Sequence, residues 1–182
     1  MINITNLILS SVYFMLPAYF ANMAPVIVRR FTNLLDYPID FNIKFGGKPL
    51  LGKNKTWRGL FFGVVFALII AYVQFLLKNS LFFSSISIIG YNSWLMIGFL
   101  LGLGALVGDF SKSFVKRRLS IKPGKRFFPF DQLDFIIGAL IFISIIMVPP
   151  IDLLITILII SLVLHVVVNH LAYYLKIRKE KW

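Results

Sequence analysis

The chain has 182 residues, of which 59% are hydrophobic and 14% charged, with a net charge of +12 and no cysteine. A soluble domain carries about a quarter charged residues, so this composition excludes an ordinary soluble fold and points to an all-α integral membrane protein. Its cations fall in blocks between apolar runs, a membrane-topology pattern that argues against nucleic acid as a partner, and the lack of cysteine excludes disulfides and thiolate metal sites.

Spanning a bilayer core takes roughly 20 apolar residues of helix. Five runs meet or approach that length: about Ile4–Val28, Gly59–Leu77, Ile88–Val107, Leu133–Val148 and Ile151–Leu175. They predict five transmembrane helices in a single membrane-embedded domain, residues 1–182, with long polar loops at about 29–58 and 109–132. The first run lacks a basic leader and a small-residue cleavage site, so it is expected to stay as a span. Eighteen Lys and Arg residues lie in the two long loops and the tail, and only Lys78 lies on the opposite side. The bias places both loops and the C-terminus in the cytoplasm and the N-terminus outside.

Within the first span, Pro17 is expected to break the helix ladder, and Asn22-Met-Ala-Pro25 to interrupt it again near the cytoplasmic end. The exposed backbone and the Asn22 amide would face a substrate headgroup or make a simple kink. The first cytoplasmic loop holds GGKPLLGKNKTWRG, from Gly46 to Gly59. Its glycines let backbone N–H groups approach an anion, and Lys48, Lys53, Lys55 and Arg58 supply charge, with Asn54 and Thr56 interleaved. This is a candidate phosphate-binding loop without the Walker A pattern. A nonspecific basic cluster facing anionic lipid headgroups is the alternative. In the third span, Gly98, Gly102, Gly104 and Gly108 form small-xxx-small pairs that permit close helix approach.

The second cytoplasmic loop opens on Asp109 and closes on Asp131 and Asp134, three of only seven acidic residues in the chain, with seven Lys and Arg between them. Asp109 stands at the negative end of a helix dipole, where it needs a compensating cation. If the helix continues, Asp109, Lys112, Ser113 and Lys116 share a face, and the two lysines are then possible ion partners of Asp109. Asp131 and Asp134 suit an N-cap and a first-turn acid. Three carboxylates converging at the membrane face would instead hold a hard cation such as Mg²⁺, with phosphates completing its shell. In the last span His165 and Asn169 share a face, which suits interhelical hydrogen bonding.

Gly108-Asp109, Lys112-Ser113, Lys116-Arg117, Pro123-Gly124 and Asp131-Gln-Leu-Asp134, together with Asn54-Lys-Thr-Trp-Arg-Gly59, resemble the motif blocks of the CTP-dependent phospholipid cytidylyltransferases. The short length and the DQLDF ending are similar to the archaeal branch, the CDP-archaeol synthases, as are the Asn22–Pro25 element, His165/Asn169 and the terminal Trp182. Against the bacterial pattern, Lys125-Arg126-Phe127 replaces His-Gly-Gly, Gln132 replaces Arg and Lys112 replaces Glu. The resemblance implies transfer of CMP from CTP to an isoprenoid ether lipid phosphate with Mg²⁺, at the cytoplasmic side of a multi-pass cell-membrane protein. It further implies Asp109, Asp131 and Asp134 around the metal. Lys112, Lys116 and Arg117 would serve lipid phosphate or pyrophosphate, and Lys48, Lys53, Asn54 and Lys55 the nucleotide. Ser113 and Thr56 would be secondary phosphate contacts.

Alternatives are an ester-lipid phosphatidate cytidylyltransferase, a CDP-alcohol phosphotransferase, and a non-enzymatic transporter or assembly factor. The phosphotransferase would need a run of several Asp residues that the chain lacks. A transporter would need an ionisable group near mid-bilayer, a description only His165 and His170 approach.

Overall fold

The computed structural model describes residues 3–122, 125 and 127–174. Six helices dominate: α1 (Ile4–Val28), α2 (Trp57–Leu77), the short α3 (Leu81–Ile86), α4 (Trp94–Arg118), α5 (Phe130–Ile143) and α6 (Ile151–Tyr174). A two-residue-per-strand hairpin, β1 (Lys44–Phe45) with β2 (Lys48–Pro49), lies between α1 and α2. Helices α1, α2 and α4 pack mutually, α5 lies along α4, and α6 closes the bundle against α1 and α5. Among the described residues four helical segments are long and apolar enough to cross a membrane: Ile4–Val28, Trp57–Leu77, Tyr91–Arg118 and Ile151–Val168.

The fourth predicted span differs from its expected bounds. Helix α5 has 14 residues, so it is about 21 Å long against a hydrocarbon core of about 30 Å. It ends before Ser144, whose hydroxyl donates to the Ile141 carbonyl, and a non-helical stretch leads through Pro149-Pro150 to α6.

The expected interruption of α1 does not occur: one helix runs through both prolines. A proline frees the carbonyl four residues before it, and each freed carbonyl meets α2. Pro17 frees the Tyr13 carbonyl, which accepts a hydrogen bond of 2.6 Å from Gln74 Nε2. Pro25 frees the Ala21 carbonyl, which faces Gly63; a Cβ there would stand 3.1 Å from that oxygen. At Pro17 the neighbouring helix supplies, through Gln74, a donor for the carbonyl that the proline leaves open.

Glycines bring α4 against both neighbours. A Cβ on Gly98 would fall 2.7 Å from the Ala71 Cβ of α2. On the other side a Cβ on Gly104 would fall 2.6 Å from the Gly138 carbonyl oxygen, and one on Gly108 would overlap the Asp134 carbonyl. Helices α4 and α5 therefore meet backbone to backbone, a contact that small residues permit and larger ones forbid. This approach sets Asp109 beside Asp134.

Candidate active site

Residues of the two polar loops gather at one end of the bundle. Helix α4 continues well past the apolar run to Arg118, so Asp109, Lys112, Ser113 and Lys116 do share one face. Lys112 Nζ lies 2.8 Å from Asp134, 3.2 Å from Asp109 and 3.4 Å from Asp131, one ammonium among three carboxylates. Asp109 also pairs with Lys55 of the first loop. Lys116 Nζ contacts both oxygens of Asp131, at 3.0 and 3.1 Å, and donates to the Lys125 carbonyl at 2.6 Å. Lys116 is thus the partner of Asp131 rather than of Asp109. The side chains of Asp109 and Asp134 are 16% and 6% exposed, so these ion pairs sit in a poorly screened setting.

Capping accounts for less of this than the sequence allows. Pro129, not Asp131, occupies the α5 N-cap position, without a side-chain cap bond. Asp131 lies in the first turn and reaches back to accept the Phe127 N–H at 2.6 Å. Asp134 lies beyond the first turn of α5, with Lys112 as its ion partner.

The first loop is built around a residue that sequence reading passed over. Asp40, 5% exposed, accepts the N–H groups of Leu51 at 2.8 Å, Gly52 at 3.1 Å and Asn42 at 3.0 Å. Phe41 and Asn42 both adopt positive φ, a turn the Asp40 side chain bridges. Burial opposes its charge, but these backbone donors outweigh it and hold the Asp40 carboxyl below the usual carboxylate range. The Asp-x-Asn spacing ahead of a glycine-rich stretch was the available signal. Gly46 and Gly47, with φ of +58° and +76°, make the hairpin turn that places Lys48.

Several predicted phosphate ligands have structural partners within the fold. Lys48 Nζ donates to the Arg118 carbonyl at 3.0 Å and to Ser120 Oγ at 2.6 Å, closing the end of α4. Arg118 in return donates to the carbonyls of Phe45, Lys48 and Pro49 and lies over the Phe45 and Phe114 rings. Arg58 is buried, paired with Asp36 at 2.7 Å and with the Thr32 carbonyl at 2.9 Å. The Thr56 hydroxyl caps α2 by accepting the Gly59 N–H, and Ser113 donates to the Asp109 carbonyl within α4. Lys53 and Asn54 are exposed. Arg117 lies against Gly52, its Nε buried without a hydrogen-bond partner among the described residues.

The predicted lipid-side residues are spread over α1 and α6. Pro25 packs on Gly59 at the start of α2, and Asn22 sits half-buried one turn earlier. The His165 ring lies 6.4 Å from that of Phe135, the neighbour of Asp134. Tyr19 Oη and Ser161 Oγ, 2.7 Å apart, join α1 to α6. The Asn169 side chain, Pro123, Gly124, Arg126 and Trp182 lie outside the described residues.

Three carboxylates around one ammonium are a hard-oxygen donor set suited in kind to a divalent cation. Among the described residues no trio of metal-type side chains surrounds an open position, because Lys112 occupies their common point.

Comparison with known proteins matches residues 4–182 to the family described as CarS-like, CDP-archaeol synthase. The CDP-archaeol synthase of Pyrococcus horikoshii is 37% identical over 178 residues, spanning 97% of this chain and 98% of the relative. That of Methanocaldococcus jannaschii is 35% identical over 179 residues, covering 97% and 98%. A solved structure of an intramembrane enzyme for archaeal membrane lipids biosynthesis superposes with a TM-score of 0.72. It is 30% identical and covers 87% of this chain and 91% of its own.

Proposed function

The chain belongs to the CDP-archaeol synthase family, and from that premise we propose that its chemistry runs on the cluster of Asp109, Asp131, Asp134, Lys112, Lys116 and Lys55. It is a CTP-dependent cytidylyltransferase that moves CMP from CTP to an unsaturated archaetidic acid, giving CDP-archaeol and pyrophosphate. The observation that carries the site is the convergence of three carboxylates and three ammoniums, drawn from three chain segments, at one end of the bundle.

An oxygen of the lipid phosphate attacks the α-phosphorus of CTP. A new P–O bond forms, and the bond to the β-phosphate breaks with its electron pair leaving on pyrophosphate. The attacking phosphate monoester is already anionic and needs no strong base, so positioning and charge neutralisation supply the rate. Asp109, Asp131 and Asp134 would hold Mg²⁺, which when bound neutralises charge on the phosphates. Lys53 and Asn54 extend from the first loop toward the nucleotide, and Arg117, free of an acidic partner among the described residues, faces the pyrophosphate. Lys55, Lys112 and Lys116 lie within the cluster to take up phosphate charge.

The cluster faces the cytoplasm, a reading supported by eighteen cations against one on the two sides. On the same reading α5 and the segment after it form a fifth crossing, short enough to leave a thinned entry for a two-chain lipid. His165 and Asn22 flank that entry, supported by the contact of His165 with Phe135.

Pyrophosphate release by purified protein with CTP, Mg²⁺ and either archaetidic or phosphatidic acid tests the reaction. Turnover with archaetidic acid is expected, faster than with the ester lipid; no product from either lipid would sink the assignment. A second expected result concerns Asp40. Asparagine there loses charge-assisted acceptance of three N–H groups, each such bond contributing about 1.5–3 kcal/mol. Steady-state kinetics of Asp40→Asn should show KM for CTP raised about tenfold, with kcat little changed. Because the folded Asp40 carboxyl is depressed, its stabilisation is present above the unfolded carboxyl's range and is lost as pH falls through the folded value. The variant should lose that acid-side dependence. Unchanged KM for CTP would detach the loop from nucleotide binding.

A further inference from the structure

We propose that Lys112 is a resident counter-cation, holding the three carboxylates in register until a divalent cation takes its place and frees the ammonium for substrate phosphate. The inference rests on reading Asp109, Asp131 and Asp134 as that cation's ligands.

Among the described residues Lys112 alone touches all three carboxylates, at 2.8 to 3.4 Å, with its side chain 14% exposed. Its contacts are distributed as a point charge would distribute them. Asp109 and Asp131 each have a second ammonium, from Lys55 and Lys116, whereas among the described residues Asp134 has Lys112 alone. Without Lys112 the most buried acid of the cluster would stand without an ion partner among the described residues. Burial of an unpaired charge is costly, so a cation is required at this point at all times.

The charge count explains why the resident cation must then leave. Three carboxylates face three ammoniums, a balanced set. A divalent cation entering the same point meets an ammonium at hydrogen-bonding distance from the same oxygens, and the two repel in a setting that water screens poorly. The carboxylates have little freedom to separate, since Asp134 is fixed by the backbone contact of its carbonyl with Gly108. Lys112 is the movable member, a compact charge on a four-carbon stem with several rotatable bonds. Its displacement delivers a positive charge beside the site when nucleotide and metal arrive, and returns it when they depart.

Mn²⁺ binding to the full-length protein in detergent, followed by electron paramagnetic resonance without nucleotide, tests this directly. Lys112→Met is expected to bind Mn²⁺ at least tenfold more tightly than the wild type, and Lys112→Arg no more tightly than the wild type. Equal Mn²⁺ affinity in wild type and Lys112→Met overturns the counter-cation role while leaving the metal site intact. No Mn²⁺ bound by any of the three, with or without CTP, removes the metal reading and the inference with it. Should Lys112→Met not fold, wild-type protein decides the matter by amine acylation and mass spectrometry. Mg²⁺ alone should raise modification of Lys112 several-fold while Lys78, remote from the site, is unchanged; an unchanged Lys112 signal overturns the proposal.

Discussion

Asp109→Asn is expected to lower kcat by a factor on the order of 10³, comparable to removing one preorganised electrostatic group from an active site, while the protein still folds. Asparagine keeps the shape but removes the charge that Lys55 and Lys112 address from two sides. Helix α4 is held elsewhere, through Gly98 on α2 and Gly104 on α5, so its packing does not depend on this carboxylate. Lys112 also keeps Asp131 and Asp134 as partners, which limits the structural damage. Pyrophosphate release read against thermal unfolding in detergent separates the two effects. Activity within a few-fold of wild type would reduce Asp109 to an ion partner of two lysines. Asp131→Asn should be milder than Asp109→Asn, because Asp131 also serves the Phe127 N–H, a bond that asparagine can still accept.

Gly108→Ala should be as damaging by a different route. The added methyl group overlaps the Asp134 carbonyl and stands 3.2 Å from Gly138 Cα, so backbone rather than a flexible side chain must yield. Overpacking of this kind costs about 1–3 kcal/mol or more. The displacement falls on Asp134 itself, and about 1 Å of misplacement is enough to cost on the order of 10² in rate. Loss of both melting temperature and turnover is the expected result, with Gly90→Ala as a neutral control because nothing lies within 4 Å of a Cβ there. An alanine at 108 with wild-type turnover would mean that the carboxylates need not be held at their present spacing.

The apolar runs were legible because hydrocarbon enforces a length and a polarity that any sequence must display. The convergence of Asp109, Asp131 and Asp134 was legible because acids are scarce in this chain and three of them bracket one loop. Continuity of α1 was hidden, since the donor that accommodates Pro17 is Gln74, 61 positions from Tyr13. The structural contacts of the cations were hidden for another reason: Lys48, Arg58 and Arg118 have the same charge as Lys53 and Arg117, and only the fold shows which of them clamp backbone or pair with an acid. The end of α4 was obscured because hydropathy falls at Asp109 while helical geometry persists to Arg118. Asp40 was overlooked because its partners are backbone groups, which leave no mark on side-chain chemistry.

The pairing of Lys55 with Asp109 joins segments 54 residues apart in the chain, and this bears on how the protein is made. When α2 has entered the bilayer, Lys55 is already in place and waits for a carboxylate that has yet to emerge. On the proposed topology it waits in water at the cytoplasmic surface, where an ammonium is well solvated. Asp109, Lys112, Asp131 and Asp134 later emerge on that same side. Insertion therefore never drags a site charge through hydrocarbon, and desolvation is deferred until opposite charges are present to meet it.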